Sequence, residues 1–135
     1  MSHFTTVKTQ MVSAKHLVRA LGELGFKTVE SHETPQALYG YQGDQRPQRA
    51  EVIIRRQFIG PASNDIGFAR DTSGAFVAVI SEFDRRKYDT KWLGRLTQRY
   101  AYHVAKEQLE AQDFTVVEEE VQADQTIHLV VRRMA

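Results

Sequence analysis

Between Asp89 and Gln112 the apolar positions recur with a helical period. At 100° per residue, Leu93, Leu96, Tyr100, Ala101, Val104 and Ala111 fall on one stripe. The opposite face carries Lys91, Arg95, Arg99 and Lys106, with Tyr102 among them and Trp92 and His103 at one edge. Asp89 or Thr90 serves as the N-cap, because a short side-chain oxygen accepts from the orphan N–H groups of a first turn. A shorter helix runs from the cap Ser13 through Leu24, with Leu17, Leu21 and Leu24 on one face and Val18 beside them. Gly25 follows where a left-handed cap is expected, and Phe26 supplies the hydrophobic contact that accompanies one.

Shorter apolar runs read as strands. Phe4–Thr9 is rich in Thr and Val, Lys27–Ser31 is short, and Ala50–Arg56 alternates with Val52 and Ile54 facing one way. Asp65–Arg70 and Ala75–Ser81 flank Asp71-Thr72-Ser73-Gly74, a hairpin signal. Phe114–Val121 and Thr126–Arg133 make a last hairpin across Gln122–Gln125. In its second strand Ile127, Leu129 and Val131 point inward while His128, Val130 and Arg132 point out. His32–Arg49 is polar and broken by Pro35, Gly40, Gly43 and Pro47, so it reads as a surface excursion, with Leu38–Gly43 a short strand or packed loop. Gln57–Asn64, with Gly60 and Pro61, is a second irregular piece.

One pattern occurs twice. A helix, a Phe at the helix-to-strand turn, an acidic strand and a strand ending Arg-Arg appear across Leu21–Glu30 with Ala50–Arg56, and again across Leu109–Glu118 with Ile127–Arg133. Two related β-α-β-β units imply one α+β domain over residues 1–135. The expected architecture is an antiparallel sheet of about six to seven strands with both helices on one face, in the ferredoxin-like neighbourhood.

Composition narrows the chemistry. The chain has 135 residues, 41% hydrophobic and 26% charged, which suits a single domain with a real core. Its net charge of +1 supplies no global field toward nucleic acid or an anionic membrane, so any basic surface is local. The absence of cysteine removes disulfides, thiolate metal sites and cysteine nucleophiles. With no signal-like start and no apolar run near ~20 residues, a cytoplasmic location is expected and a membrane partner is not.

No catalytic set emerges. The histidines His3, His16, His32, His103 and His128 show no metal-binding spacing, and neither a dinucleotide or phosphate glycine loop nor a nucleophile elbow is present. No cofactor or metal is therefore expected, and no catalytic residue is named. Gly40-Tyr41-Gln42-Gly43 reads as a turn, and Glu118-Glu119-Glu120 as a solvated strand edge. The basic-aromatic face of the long helix is the best surface: Lys91, Trp92, Arg95, Arg99, Tyr102, His103 and Lys106 are its candidate binding residues. Arg85, Arg86 and Lys87 add positive charge nearby, diluted by Glu82 and Asp84.

Four strings carry a family likeness: Met1-Ser2-His3-Phe4-Thr5-Thr6-Val7-Lys8-Thr9, Gly40-Tyr41-Gln42-Gly43, Asp65-Ile66-Gly67-Phe68 and Gln98-Arg99-Tyr100-Ala101-Tyr102-His103. They resemble the family of hypothetical chloroplast reading frame thirty-five, found in cyanobacteria, algal plastid genomes and other bacteria. The likeness spans nearly the whole chain; Arg56–Asn64 and Glu82–Thr90 match it less well. It implies no activity, cofactor or catalytic residue. Because the family's genes lie near those of an AAA-type ATPase and small companion proteins, it does imply a partner.

The leading expectation is a non-enzymatic protein-binding or adaptor domain. RNA or single-strand binding through the same helix face is the alternative, and a small-ligand or enzymatic site near Tyr39, Tyr41, Arg99 and His103 ranks third.

Overall fold

The ends of both helices follow from single side chains. Ser13 accepts a hydrogen bond from the backbone N–H of His16 and opens α1 (Ala14–Glu23); Asp89 does the same for Trp92 at the start of α2 (Thr90–Ala111). Gly25, at φ 106°, stops α1, and the N–H of Phe26 reaches back 3.0 Å to the carbonyl of Leu21. At the end of α2 the left-handed residue is Asp113, at φ 65°, with Phe114 following.

A computed structural model describes residues 3–124 and 126–133, with the side chain of Glu118 left aside. Met1 and Ser2 of the opening string, Gln125 of the final turn and the orientation of Glu118 lie outside the described residues. Seven strands are present: β1 (Phe4–Lys8), β2 (Glu30–Tyr39), β3 (Gln45–Ile54), β4 (Ile66–Arg70), β5 (Phe76–Ser81), β6 (Phe114–Val121) and β7 (Ile127–Arg133). Short 3-10 turns occupy Arg56–Phe58 and Asp84–Arg86. The order strand–helix–strand–strand occurs twice, as β1-α1-β2-β3 and β5-α2-β6-β7.

The α+β class holds, but the strands divide between two antiparallel sheets. Five pair in the order β1-β5-β4-β3-β2, and β6 pairs with β7 alone among the described residues. The 22 residues of α2 span about 33 Å, about the reach of the ten-residue strands β2 and β3. The β6–β7 hairpin then lies back on α2 itself. Ile127, Leu129 and Val131 are half-buried and His128, Val130 and Arg132 exposed, in the alternation expected from the sequence.

One face of the five-stranded sheet carries Val52, Ile54, Ile66, Phe68, Phe76, Ala78 and Ile80 against Leu17, Ala20 and Leu21 of α1 and Leu93, Leu96 and Tyr100 of α2. Both helices therefore share one face. The Tyr100 hydroxyl also leaves the core to accept the N–H groups of Val12 and Ser13, both at 2.9 Å, fixing the entry to α1.

The polar stretch His32–Arg49, expected as an irregular excursion, instead forms most of β2 and half of β3. Its pattern was obscured by two register shifts in β2, between Ser31 and Gln36 and between Ala37 and Tyr39. Pro35 is tolerated there because β2 is an edge strand. The far half of this hairpin crosses the second face of the sheet. Leu38, Ala50, Ile53 and Val79 are buried together there, and the Arg46 guanidinium sits 5.6 Å from the Phe4 ring on β1. Gly67 makes room: a Cβ at that position would lie 2.7 Å from that of Ala50.

Candidate functional site

The seven candidate residues of α2 separate into four environments. Trp92, expected at the edge of an exposed face, belongs to the core. It is 5% exposed, with its ring edge-on to Tyr88 at 5.0 Å and to Phe26 at 6.2 Å. The helix axis is turned so that its first apolar rows, Trp92, Leu93 and Leu96, all reach the core.

Arg99, Tyr102 and His103 occupy the seam between α1, α2 and β6. The Arg99 guanidinium lies 4.3 Å over the Tyr102 ring and pairs with Glu23 at 2.6 Å and Glu119 at 3.1 Å. His103 bonds the other carboxylate oxygen of Glu23. Tyr102, expected on the polar face, is 8% exposed beneath the hairpin. Burial, and then its bond to Glu119, pushes its hydroxyl up to about 12. The Tyr102 hydroxyl and then Arg99 hold Glu119 below the ordinary carboxylate value. Burial opposes the charge of Arg99, yet its two carboxylate partners leave it more basic than usual. Every charge in this seam has an internal partner, so the arrangement is a clasp.

Lys106 lines a mixed-charge groove between the helices, with Lys15, Arg19, His103, Glu107 and Glu110. Glu107 is claimed from α1 by Lys15, at 2.8 Å, and by His16. Those two partners, Lys15 first, hold Glu107 below the ordinary carboxylate value.

Lys91 and Arg95 are exposed, one turn apart, on the first half of α2. Together with Arg86 and Lys87 they make a ridge of four exposed cations, none of which forms an ion pair among the described residues. Asp84, which would dilute that charge, points inward at 3% exposure and accepts from the N–H of Asn64 at 2.9 Å and the Ser81 hydroxyl at 2.8 Å. Beside the ridge is a cleft of about 390 Å³, walled by Ile59, Phe83 and Tyr88, with Asp84 and Ser63 deeper and Arg86 and Lys87 at the rim.

Asn64 and Asp65 hold the loops around this cleft. Asn64 accepts from the N–H of Tyr41 at 2.9 Å and donates to Ser81 at 2.9 Å. Asp65 accepts from the N–H groups of Tyr39 and Arg56 and from the Arg55 guanidinium, at 2.7–2.8 Å. Two adjacent buried side chains thus fix the end of β2, the end of β3 and the turn before α2.

Tyr41 belongs to this knot while His103 belongs to the clasp, and no contact joins them among the described residues. Nor does any group of three His, Asp or Glu side chains among the described residues suit a metal ion. No helix among the described residues is long and apolar enough to cross a membrane.

Comparison with known proteins gives the family of this chain. Residues 20–130 match the family described as "Protein of unknown function (DUF1257)". The chain belongs to this family. It is 28% identical over 134 residues to the "Uncharacterized protein ycf35" of Cyanophora paradoxa, covering 98% of each chain. It is 26% identical over 136 residues to the protein of that name from Pyropia yezoensis, again over 98% of each. No solved structure matches. Within this DUF1257 chain, Gly40–Gly43 and the start of Asp65–Phe68, two of the strings carrying the resemblance, meet at the Asn64–Asp65 knot, while Gln98–His103 builds the clasp.

Sequence reasoning missed the knot because Ser81-x-x-Asp84 and Asn64-Asp65 look like ordinary loop polar residues. Their only sequence signal is adjacency to apolar strand ends, where a polar side chain is apt to be buried and hydrogen-bonded. It also missed Glu23, the acid that pairs with Arg99 and bonds His103 from 76 and 80 positions away.

Proposed function

We propose that this DUF1257 chain is a non-enzymatic binding or adaptor domain that receives an acidic protein partner on the ridge Arg86–Lys87–Lys91–Arg95. The observation that carries the reading is the contrast in pairing: four exposed cations on one continuous stretch lack ion-pair partners, while Arg99 nearby has two. Exposed charges without ion-pair partners remain available for complementary recognition. A cytoplasmic setting and service to an AAA-type ATPase, the partner that the family resemblance implies, belong to the same proposal.

Affinity purification of the tagged chain from its host, with and without nuclease, tests it. A protein partner is expected to survive nuclease and to be lost from the Lys91→Glu/Arg95→Glu variant. If that charge-reversed variant recovers the same proteins in the same amounts, the ridge is not the docking surface. Nucleic-acid binding is the second reading, supported by the same cations; it requires recovery of nucleic acid and affinity falling steeply with salt.

A further inference from the structure

We infer that the cleft beside the ridge is an anchor pocket, and that the partner is an acidic segment carrying one aromatic or large aliphatic side chain that enters it. This rests on the ridge reading above and adds the chemistry of what is recognised.

The cleft is built for two chemistries in a fixed order. Its walls, Ile59, Phe83 and Tyr88, are apolar or aromatic, and its volume of about 390 Å³ lies in the range that holds small ligands or side-chain anchors. Two cations, Arg86 and Lys87, stand at the rim, and the basic ridge continues from them to Lys91 and Arg95. Deeper in, Asp84 turns its carboxylate to neutral donors, Asn64 and Ser81, and makes no ion pair among the described residues. An anion driven into the cleft would meet that carboxylate. A neutral side chain enters without that repulsion, and its flanking acids remain outside with the cations.

A phosphodiester, charged at every residue, fits poorly over Asp84. Acidic peptides with a single hydrophobic anchor satisfy both the rim and the interior, in the manner of short motifs whose binding is dominated by one buried residue.

Trp92 provides a built-in reporter, since it is the single tryptophan of the chain and its ring touches Tyr88 in the cleft wall. The test titrates the intact protein with two synthetic peptides of about ten residues, both rich in Asp and Glu. One carries a central phenylalanine and the other serine in its place. The phenylalanine peptide is expected to bind at least about tenfold tighter and to shift Trp92 emission, whereas the serine peptide leaves emission unchanged. Phe83→Ala, checked for an unchanged melting temperature, is expected to erase the preference and retain the weaker affinity. Lys91→Glu/Arg95→Glu should weaken both peptides alike. Equal affinity of the two peptides overturns the anchor pocket and leaves the ridge reading standing. Failure of both to bind overturns the pocket and the ridge together. A single-stranded oligonucleotide that outcompetes the phenylalanine peptide overturns the choice of a protein segment.

Discussion

The two halves of α2 carry similar cations and use them in opposite ways. In the second half, Arg99 and His103 are taken up by Glu23 of α1, and Arg99 also by Glu119 of β6. In the first half, Lys91 and Arg95 project from a helix whose other side is locked into the core by Trp92, Leu93 and Leu96. What separates them is what lies overhead. The β6–β7 hairpin folds back over the second half and brings an acid with it, while nothing described in the chain covers the first half. The same residue type is therefore part of the fold in one place and left exposed in the other.

The largest expected effect tests whether Trp92 belongs to the core. Trp92→Ala should destabilise the protein by about 3–5 kcal/mol in urea unfolding, as for other buried aromatics. A change under about 0.5 kcal/mol, the range of ordinary surface substitutions, would return Trp92 to the surface. Arg99→Ala comes next. It leaves Glu23 and Glu119 without their guanidinium and uncovers Tyr102, so a loss of about 2 kcal/mol is expected, with faster amide exchange across β6. Exchange unchanged in β6 would show that the clasp does not hold the hairpin.

A pH titration extends the comparison to the other hairpin, where Arg55 plays the part of Arg99 by joining Glu30 of β2 to Asp65. The bond to Arg55, and to a lesser extent that to His32, lowers Glu30 from 4.5 to about 2. Because the folded-state value lies below the ordinary one, the stabilisation is fully present above pH 4.5 and lost as pH falls through about 2. Solvent screening at this partly exposed carboxylate keeps the effect modest. Glu30→Gln should flatten that acid limb of the stability curve; an identical limb would remove Glu30 as its source. The smallest effect is expected at the ridge. Lys91→Ala and Arg95→Ala should each change stability by less than about 0.5 kcal/mol, since neither exposed cation forms an ion pair among the described residues. A larger loss would mean that the ridge serves the fold after all.

Periodicity carried the reading wherever one element alone decided the outcome. The Leu93–Leu96–Tyr100 part of the α2 stripe, the caps Ser13 and Asp89, the left-handed stop at Gly25 and the alternation of Ile127, Leu129 and Val131 are all local, set within a few residues by sterics and hydrogen bonding, whereas Ala101 and Ala111, expected on the same stripe, are exposed. The hairpin of β2 and β3 was not legible in this way. Its bulges break the alternation, and its buried residues, Leu38 and Ala50, pack with Val79 of β5 in space left open by Gly67 of β4, both on other strands. The candidate site divides along the same line. Lys91 and Arg95 could be placed on an exposed face from helical spacing alone. The fates of Arg99, Tyr102 and His103 depended on Glu23 and Glu119, which lie far off in the chain.

By itself, then, the amino-acid sequence determined the α+β class, the two helices with their ends, the strand-rich remainder and a chain free of cysteine chemistry. These follow from side-chain spacing and backbone conformational preference, which act over a few residues. Tertiary structure alone decided that the strands form two sheets, that Asn64 and Asp65 tie the loops together, that Asp84 turns inward and that the basic face of α2 is half clasp and half open ridge. Each of those outcomes depends on which distant group arrives to neutralise or cover a side chain. Burial and charge pairing are properties of a neighbourhood in space, and the order of residues along the chain does not contain them.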